Sequence, residues 1–285
     1  GAFTSLAGNG KPGNGGDGGP AARAQLNGPH ALAVSQSGDV YIADTWNHRI
    51  RRYDQKTGEL QAFAGTGEKG FSGDGGDASQ AQFGDVYWIC FDSDDHQMLI
   101  ADLDNRRIRS INMSSGVITT IAGNGQKGNP DDGALATLSP LVDPRAVAID
   151  KQGNIYILER SGHALRVVDR QGKIHTVAGT GKPGLEGDGG DAQQAMLNGP
   201  KHLCVDQNGS VLIADSENHV IRRYQPETGK ISRVAGTGRR GRGRLDGPPL
   251  NVELDRPHGV FVAPDGALYI SDSGNGRVLK VEQEL

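Results

Sequence analysis

Histidine, arginine, lysine and aromatic residues stand at one equivalent position of five similar segments, and their types vary from copy to copy. When the five segments are aligned with one another, the residues at this position are His30, Tyr87, Arg145, Lys201 and His258. The next position adds Trp88 and His202. A residue needed only for a repeated fold is expected to be alike in every copy. We therefore predict that these variable positions contact a ligand.

The histidines among these residues have the chemistry of a metal site. Two or three imidazoles around a narrow channel can bind Zn²⁺ or another divalent cation, which predicts a metal held by His30, His202 and His258. Arg145 and Lys201 can hold an anionic ligand through charge-assisted hydrogen bonds. The open alternative is a solvated channel mouth without a ligand.

A second set of polar residues is acidic and recurs in every copy. Its members are Asp44, Asp102, Glu159, Asp215 and Asp272. A carboxylate can coordinate Ca²⁺ or act as a general base, but recurrence in every copy favours a turn in which it accepts amide hydrogen bonds. Glu159 breaks the pattern, because Leu158-Glu159-Arg160-Ser161 replaces Ala-Asp-Ser/Thr. It is the candidate catalytic residue.

These residues belong to a unit that is repeated five times. Its clearest copy is 38–52, GDVYIADTWNHRIRR. Each unit closes on Ala-Gly, at Gly8, Gly65, Gly123, Gly179 and Gly236. Inside the first unit, apolar runs alternate with short polar turns and predict four antiparallel strands. A period of this size with four strands is typical of a β-propeller blade, so the sequence predicts an all-β, five-bladed propeller.

The predicted blades occupy residues 1–285 as a single domain. Their approximate bounds are 28–65, 83–123, 143–179, 199–236 and 256–285 together with 1–8. The last copy stops after its third strand, and the chain begins with Phe3-Thr4-Ser5-Leu6-Ala7-Gly8, which matches a fourth strand. The N-terminal strand is therefore expected to close the last blade, so that no sheet edge stays open.

The connections between blades repeat Gly-Asp-Gly-Gly followed by alanines, which predicts short helical turns. Their aspartates are Asp17, Asp74, Asp132, Asp188 and Asp246. Such a loop can bind phosphate or Ca²⁺, but one carboxylate is far short of the six or more oxygens, roughly, that Ca²⁺ takes. We expect each aspartate to fix its own loop through bonds to the backbone. The fifth connection carries four arginines within 239–244 and predicts either an acidic partner or a solvated loop.

Composition excludes several classes of function. The chain has 285 residues, 44 glycines and a net charge of −4, which describes a soluble, turn-rich protein and gives no support for general nucleic-acid binding. With only 2 cysteines, Cys90 and Cys204, no disulfide framework is predicted. No apolar run approaches the about 20 residues of a membrane span. We expect a monomer, and the start at Gly1 without Met favours a secreted, periplasmic or extracellular domain.

The repeated motifs resemble those of NHL repeats. They are Pro-x-x-(Leu/Val)-x-Val, the segment at 38–51, and Val-Ala-Gly-Thr-Gly, with the eponymous turn present as Asn47-His48-Arg49 and Asn218-His219-Val220. The resemblance covers essentially the whole chain and implies a propeller, usually of six blades where this chain counts five. It also implies functions that range over protein-binding, RNA-binding and extracellular sensor modules. Related propellers include amidating lyases and lactonases with a metal in the central channel.

Two functions remain after these observations. No signature of nucleophilic catalysis is present, which favours a non-enzymatic binding or scaffold propeller that presents its loops and channel mouth to a protein or small-molecule ligand. The alternative is a metal-dependent channel enzyme, a lyase or a lactonase-like hydrolase. It would hold Zn or Ca through His30 and His258 and meet its substrate with Arg145 or Lys201.

Overall fold

The computed structural model describes residues 4–281, which form an all-β protein. Its five antiparallel sheets are the blades of a five-bladed β-propeller, as the sequence predicts. The chain divides into two compact units, Gly1–Gln126 with two blades and Lys127–Leu285 with three. No helix within residues 4–281 combines the length and the apolar character that crossing a membrane requires.

The first unit contains nine strands in two sheets. They are β1 (Gly19–Pro20), β2 (Pro29–Val34), β3 (Val40–Asp44), β4 (Arg49–Tyr53), β5 (Glu59–Ala64), β6 (Val86–Phe91), β7 (Gln97–Asp102), β8 (Arg107–Asn112) and β9 (Ile118–Ala122). The first blade takes β2 to β5 in chain order, and β1, from the preceding connection, pairs with β5. The second blade is the four-stranded meander β6 to β9.

The second unit contains twelve strands in three sheets. They are β10 (Ala134–Leu135), β11 (Pro144–Ile149), β12 (Ile155–Glu159), β13 (Ala164–Val168), β14 (Lys173–Ala178), β15 (His202–Val205), β16 (Val211–Asp215), β17 (Val220–Gln225), β18 (Lys230–Ala235), β19 (Gly259–Val262), β20 (Leu268–Asp272) and β21 (Arg277–Val281). The third blade is β11 to β14 with β10 added to β14, the fourth is β15 to β18, and the fifth is β19 to β21.

In the first four blades the second strand is buried on both faces. β16 is buried at every residue, and β7 at every residue after Gln97. A strand covered on both faces has a continuous apolar sequence instead of an alternating one. This explains why runs such as Val-Leu-Ile-Ala are followed at once by the acidic residue, which is buried with them.

A β-bulge interrupts the start of the first strand in three blades. The register between β2 and β3 skips His30, that between β6 and β7 skips Tyr87, and that between β11 and β12 skips Arg145. The corresponding Lys201 and His258 lie immediately before β15 and β19. Bulges re-aim side chains and are common beside binding sites. The variable position predicted to contact a ligand therefore coincides with a bulge in three blades and directly precedes the first strand in the other two.

The connections contain single 3-10 turns, as predicted. They span Ala21–Arg23, Ala78–Gln80, Ala136–Leu138, Ala192–Gln194 and Pro249–Asn251. In two of them the preceding aspartate caps the turn, because Asp77 accepts from the Ser79 amide at 2.8 Å and Asp191 from the Gln193 amide at 3.0 Å. Side-chain caps satisfy amides that a turn leaves free.

The fourth strand expected in the last blade is not found among the described residues. The sheet of β19, β20 and β21 has three strands, and Thr4–Ala7 has no strand structure, while Gly1–Phe3 lie outside the described residues. The amides that follow are used elsewhere, since Gly8 donates to the Ala21 carbonyl and Asn9 to the Ala24 carbonyl, both at 2.9 Å. These bonds attach the segment to the first connection.

The two cysteines are free thiols in first strands, Cys90 in β6 and Cys204 in β15. Burial raises the pKa of each thiol to about 12. Both are therefore protonated at neutral pH and unreactive.

Candidate functional site

Three aromatic rings gather at the bulges of the first unit. The ring centroids of His30 and Tyr87 are 4.4 Å apart, and those of His30 and Trp46 are 5.8 Å apart. His30 is exposed, Tyr87 is half-buried and Trp46 remains 54% exposed. His30, Trp46 and Tyr87 are called the aromatic cluster below. Aromatic rings left partly in water are the side chains that most often anchor protein interfaces.

Backbone geometry next to the aromatic cluster holds the rings in place. Gly28 has φ +58°, and a Cβ on it would lie 2.5 Å from the Trp46 ring, so only glycine leaves room for this indole. The Nδ1–H of His30 donates to the Gly28 carbonyl at 2.8 Å. The cluster is thus fixed by one glycine and one hydrogen bond.

Trp88, predicted as a ligand contact, lies elsewhere. It pairs with Ala101 in the ladder between β6 and β7, directly after the bulge, and it packs against the hydrophobic core of the first unit. Successive residues of a strand point to opposite faces. The half-buried side chain after the bulge therefore packs on the core, and a ligand contact by Trp88 stays a prediction.

The second unit brings together Lys201 and His258, which are two members of the variable position. Lys201 Nζ lies 2.7 Å from His258 Nε2 and 3.4 Å from a carboxylate oxygen of Glu217. Burial, followed by the charges of Lys201, Arg145 and Arg256, lowers the pKa of His258. The imidazole therefore stays neutral and accepts a hydrogen bond from the lysine.

Lys201 and Arg145 also share one electrostatic environment. Burial lowers the pKa of Lys201, Glu217 raises it, and the guanidinium groups of Arg160 and Arg145 lower it further. Several cations with one carboxylate between them are therefore close in space, which favours an anionic ligand.

His202 is a buried structural residue. It is 7% exposed, and its Nδ1 accepts from the Val260 amide at 3.1 Å. Burial lowers its pKa to about 4, so the ring is neutral at physiological pH. This histidine ties β15 to β19.

The donor set for the predicted metal does not fit. Residues 4–281 contain no group of three or more histidine, cysteine or carboxylate side chains that could hold a metal ion. His202 uses its Nδ1 on a backbone amide, and His258 meets a lysine instead of a second ligand. A Zn²⁺ site needs three or four converging donors.

The five recurrent carboxylates are all fully buried, and each accepts hydrogen bonds from neighbouring groups. Each accepts a backbone amide of the preceding connection at 2.5 to 2.8 Å, as Asp44 does from Asn27. Four of them also accept the side-chain amide of the asparagine three residues later at 2.8 to 2.9 Å. This is the turn role that the sequence favours, now seen to join the turn to the connection.

Glu159, the candidate catalytic acid, has the same role with a longer side chain. It accepts from the Val142 amide at 2.5 Å and from Arg166 Nε at 2.9 Å. Gly162 replaces the usual asparagine, and a Cβ there would lie 2.8 Å from the glutamate carboxylate. Burial raises the pKa of Glu159, but its oxygens are used inside the blade. The longer Glu159 side chain together with Gly162 therefore takes the place that aspartate and asparagine occupy in the other blades.

Three of the connection aspartates bind arginine side chains rather than their own backbone. Arg51, Arg109 and Arg222 are fully buried and pair with Asp17, Asp74 and Asp188 at 2.7 to 2.9 Å. Asp132 accepts from the Thr176 amide at 2.8 Å, a backbone bond to β14 and not to its own loop. Asp246 pairs with exposed Arg244 at 3.1 Å. The expectation failed because the sequence did not show that third-strand arginines are buried.

The sequence also did not single out Trp46, Arg160 or Glu217. They occupy the two positions that follow the recurrent acid, and these positions vary between blades. The same criterion of variation among copies would have found them. The Arg-rich loop at 239–244 is exposed, with Arg240 bound to Asp255 at 3.1 Å.

Family descriptions match most of the repeated segments. The NHL repeat matches residues 26–53, 197–224 and 254–281, and the teneurin NHL domain matches residues 114–186. These four segments include strands of all five blades, with the second blade represented by β9 alone.

Curated relatives match along nearly the whole chain. Protein SUPPRESSOR OF QUENCHING 1, chloroplastic, of Arabidopsis thaliana is 27% identical over 270 residues, covering 91% of this chain and 25% of the relative. Human NHL repeat-containing protein 2 is 25% identical over 289 residues, covering 91% of this chain and 39% of the relative. The chain therefore spans well under half the length of these relatives.

Solved structures share the fold. An auxiliary nutrient binding protein from Bacteroides ovatus superposes with a TM-score of 0.66 at 16% identity, covering 91% of this chain and 60% of that chain. At this identity the similarity concerns the fold alone.

Proposed function

We propose that this chain, which belongs to the NHL-repeat β-propeller family, is a non-enzymatic binding module. Its partner is a protein segment that docks on the aromatic cluster of the first unit. The exposure of Trp46 beside His30 and Tyr87 is the observation that carries the proposal.

The use of the other polar groups supports this role. The recurrent acids, the asparagines after them and the buried arginines are committed to hydrogen bonds inside the blades. A catalytic group needs an oxygen or nitrogen that can reach a substrate, and Glu159 offers none. The aromatic cluster itself presents two aromatic rings and one imidazole outward, and aromatic residues are enriched at interface centres.

The similar structure from Bacteroides ovatus is described as a nutrient binding protein. That description concerns a different molecule with the same fold, and it agrees with a propeller used as a binding platform. The channel-enzyme alternative lacks its metal donors among residues 4–281.

Selection from a displayed peptide library tests the proposal. Peptides enriched on the wild-type chain are measured against Trp46→Ala and Tyr87→Ala, with Leu138→Ala as the control because this side chain is 70% exposed outside the cluster. Loss of a central aromatic anchor costs about 2 kcal/mol, or roughly 30-fold in Kd. We expect that loss in both cluster variants and none in the control. Selected peptides that bind all the variants equally would exclude the cluster.

A further inference from the structure

The turn after β12 differs from the corresponding turns of the first and fourth blades. There, the residue after the acid is a buried hydroxyl residue that donates to a backbone carbonyl at the start of the next blade. Thr45 donates to the Val86 carbonyl at 2.7 Å, and Ser216 to the Pro257 carbonyl at 2.6 Å. The third blade has Arg160 at this place, and its side chain is exposed. A repeated internal bond has been replaced by an outward-facing cation.

A cavity of about 300 Å³ opens beside Arg160. Arg160 and His163 contribute from the turn after β12, Asn198 and Lys201 from the connection that leads to β15, and Glu217 from the turn after β16. Three segments of two successive blades therefore converge on one space, and its size suits a small ligand.

Most polar groups of the cavity are hydrogen-bond donors. Arg160 and Lys201 carry positive charge. The Gly199 amide donates to His163 Nδ1 at 3.1 Å, so the neutral ring has its proton on Nε2 and donates from there. Glu217 is the single carboxylate in the lining, and it lies 3.4 Å from Lys201. Lys201 also donates to His258 Nε2 at 2.7 Å, and the positive charge of Arg160 and Lys201 still exceeds the negative charge of this one acid.

We infer that this cavity binds a small anion, a carboxylate or phosphate group, held between Arg160 and Lys201. A planar guanidinium and an ammonium together bind such groups through charge-assisted hydrogen bonds. Glu217, exposed at the rim, competes for Lys201 until the anion enters. The site belongs to the second unit and does not depend on peptide binding at the aromatic cluster.

Calorimetric titration of the purified chain with inorganic phosphate, and separately with succinate, tests the inference. We expect saturable binding of at least one probe. Arg160→Ser introduces the residue that the fourth and fifth blades carry at this position, so the fold should tolerate it, and affinity should fall at least about tenfold. Lys151→Ser removes the same charge from an exposed turn and should leave the affinity unchanged.

Two further variants make the test independent of folding problems. Lys201→Gln should weaken binding as Arg160→Ser does, whereas Glu217→Gln should strengthen it because the competing carboxylate is gone. Binding of phosphate alone or of succinate alone supports the site and identifies the anion class. No saturable binding of either probe, equal affinity of wild type and Arg160→Ser, or weaker binding by Glu217→Gln would overturn the inference.

Discussion

Asp215 shows what burial does to one recurrent carboxylate. Its oxygens accept from the Asn198 amide at 2.7 Å and from the Asn218 side chain at 2.8 Å, and Arg222 lies 3.7 Å away. Burial nevertheless raises its pKa to about 7. The desolvation of the carboxylate raises its pKa more than its hydrogen bonds and the nearby arginine lower it.

This shift predicts how Asp215 affects stability with pH. A folded pKa of about 7 against an unfolded value of about 4 means that the folded state holds an extra proton between these values. Stability from this group therefore falls as pH rises from about 4 to 7. Urea unfolding at pH 5 and pH 8 should show a smaller pH dependence in Asp215→Asn than in wild type.

Glu227→Gln, which changes an exposed acid of the same unit, serves as the control for Asp215→Asn. It should keep the wild-type difference between the two pH values. An unchanged pH dependence in Asp215→Asn would show that the buried carboxyl titrates in its ordinary range.

Single residues were predictable from sequence where repetition itself was informative. The turn role of Asp44 and its equivalents followed from their recurrence, and the contact between Lys201 and His258 agrees with their shared alignment position. The packing of Trp88 on the core was not predictable, because one inserted residue at a bulge decides which face the next side chain takes. The sequence contains no signal for that register shift.

Buried arginines join the elements of a blade to the connection before it. Arg51 binds Asp17 at 2.7 Å and also donates to the carbonyls of Gln25 and Gly15, while Asp44 lies 3.5 Å away. Arg109 and Arg222 repeat the arrangement. One side chain thus satisfies both a loop and the end of a strand.

We expect Arg51→Met to destabilise the protein by about 3 to 5 kcal/mol, because it leaves the Asp44 carboxylate buried without its cation. Arg52→Met is the matched control. Its guanidinium is partly exposed and pairs with Asp39 and Asp54, which keep hydrogen bonds from the Gln55 and Lys56 amides without it, so the loss should be about 0 to 1 kcal/mol. Equal free energies of unfolding for the two variants, from urea denaturation, would contradict this role of the buried arginine.

The elements themselves were predictable because apolar runs and turns repeat at a fixed spacing. The strands and the 3-10 turns appear where the sequence places them. The fourth strand expected in the last blade is not found among the described residues. Gly8 and Asn9 donate instead to carbonyls of the first connection, and tertiary contacts of this kind have no signal in the sequence. A matching sequence shows what a segment can pair with and leaves open whether it does.

At the scale of the whole molecule, five copies of the sequence repeat form two compact units, one with two blades and one with three. We propose that residues 1–285 nevertheless unfold as a single domain, as the continuous repeat predicts. Calorimetry should then show one transition, and Arg51→Met in the first unit and Arg222→Met in the second should each shift all of it. Two transitions, each sensitive to only one of these variants, would mean two domains.

The bulges have a consequence for how such a molecule changes over time. The strand register skips His30, Tyr87 and Arg145, so we expect a side-chain replacement there to leave the paired residues on either side in register. We expect mutations at these positions to change the free energy of unfolding little, and mutations of the buried acids and arginines of the same blades to lower it strongly. The repeat thus separates an inherited framework from positions open to selection, and new recognition can evolve one blade at a time.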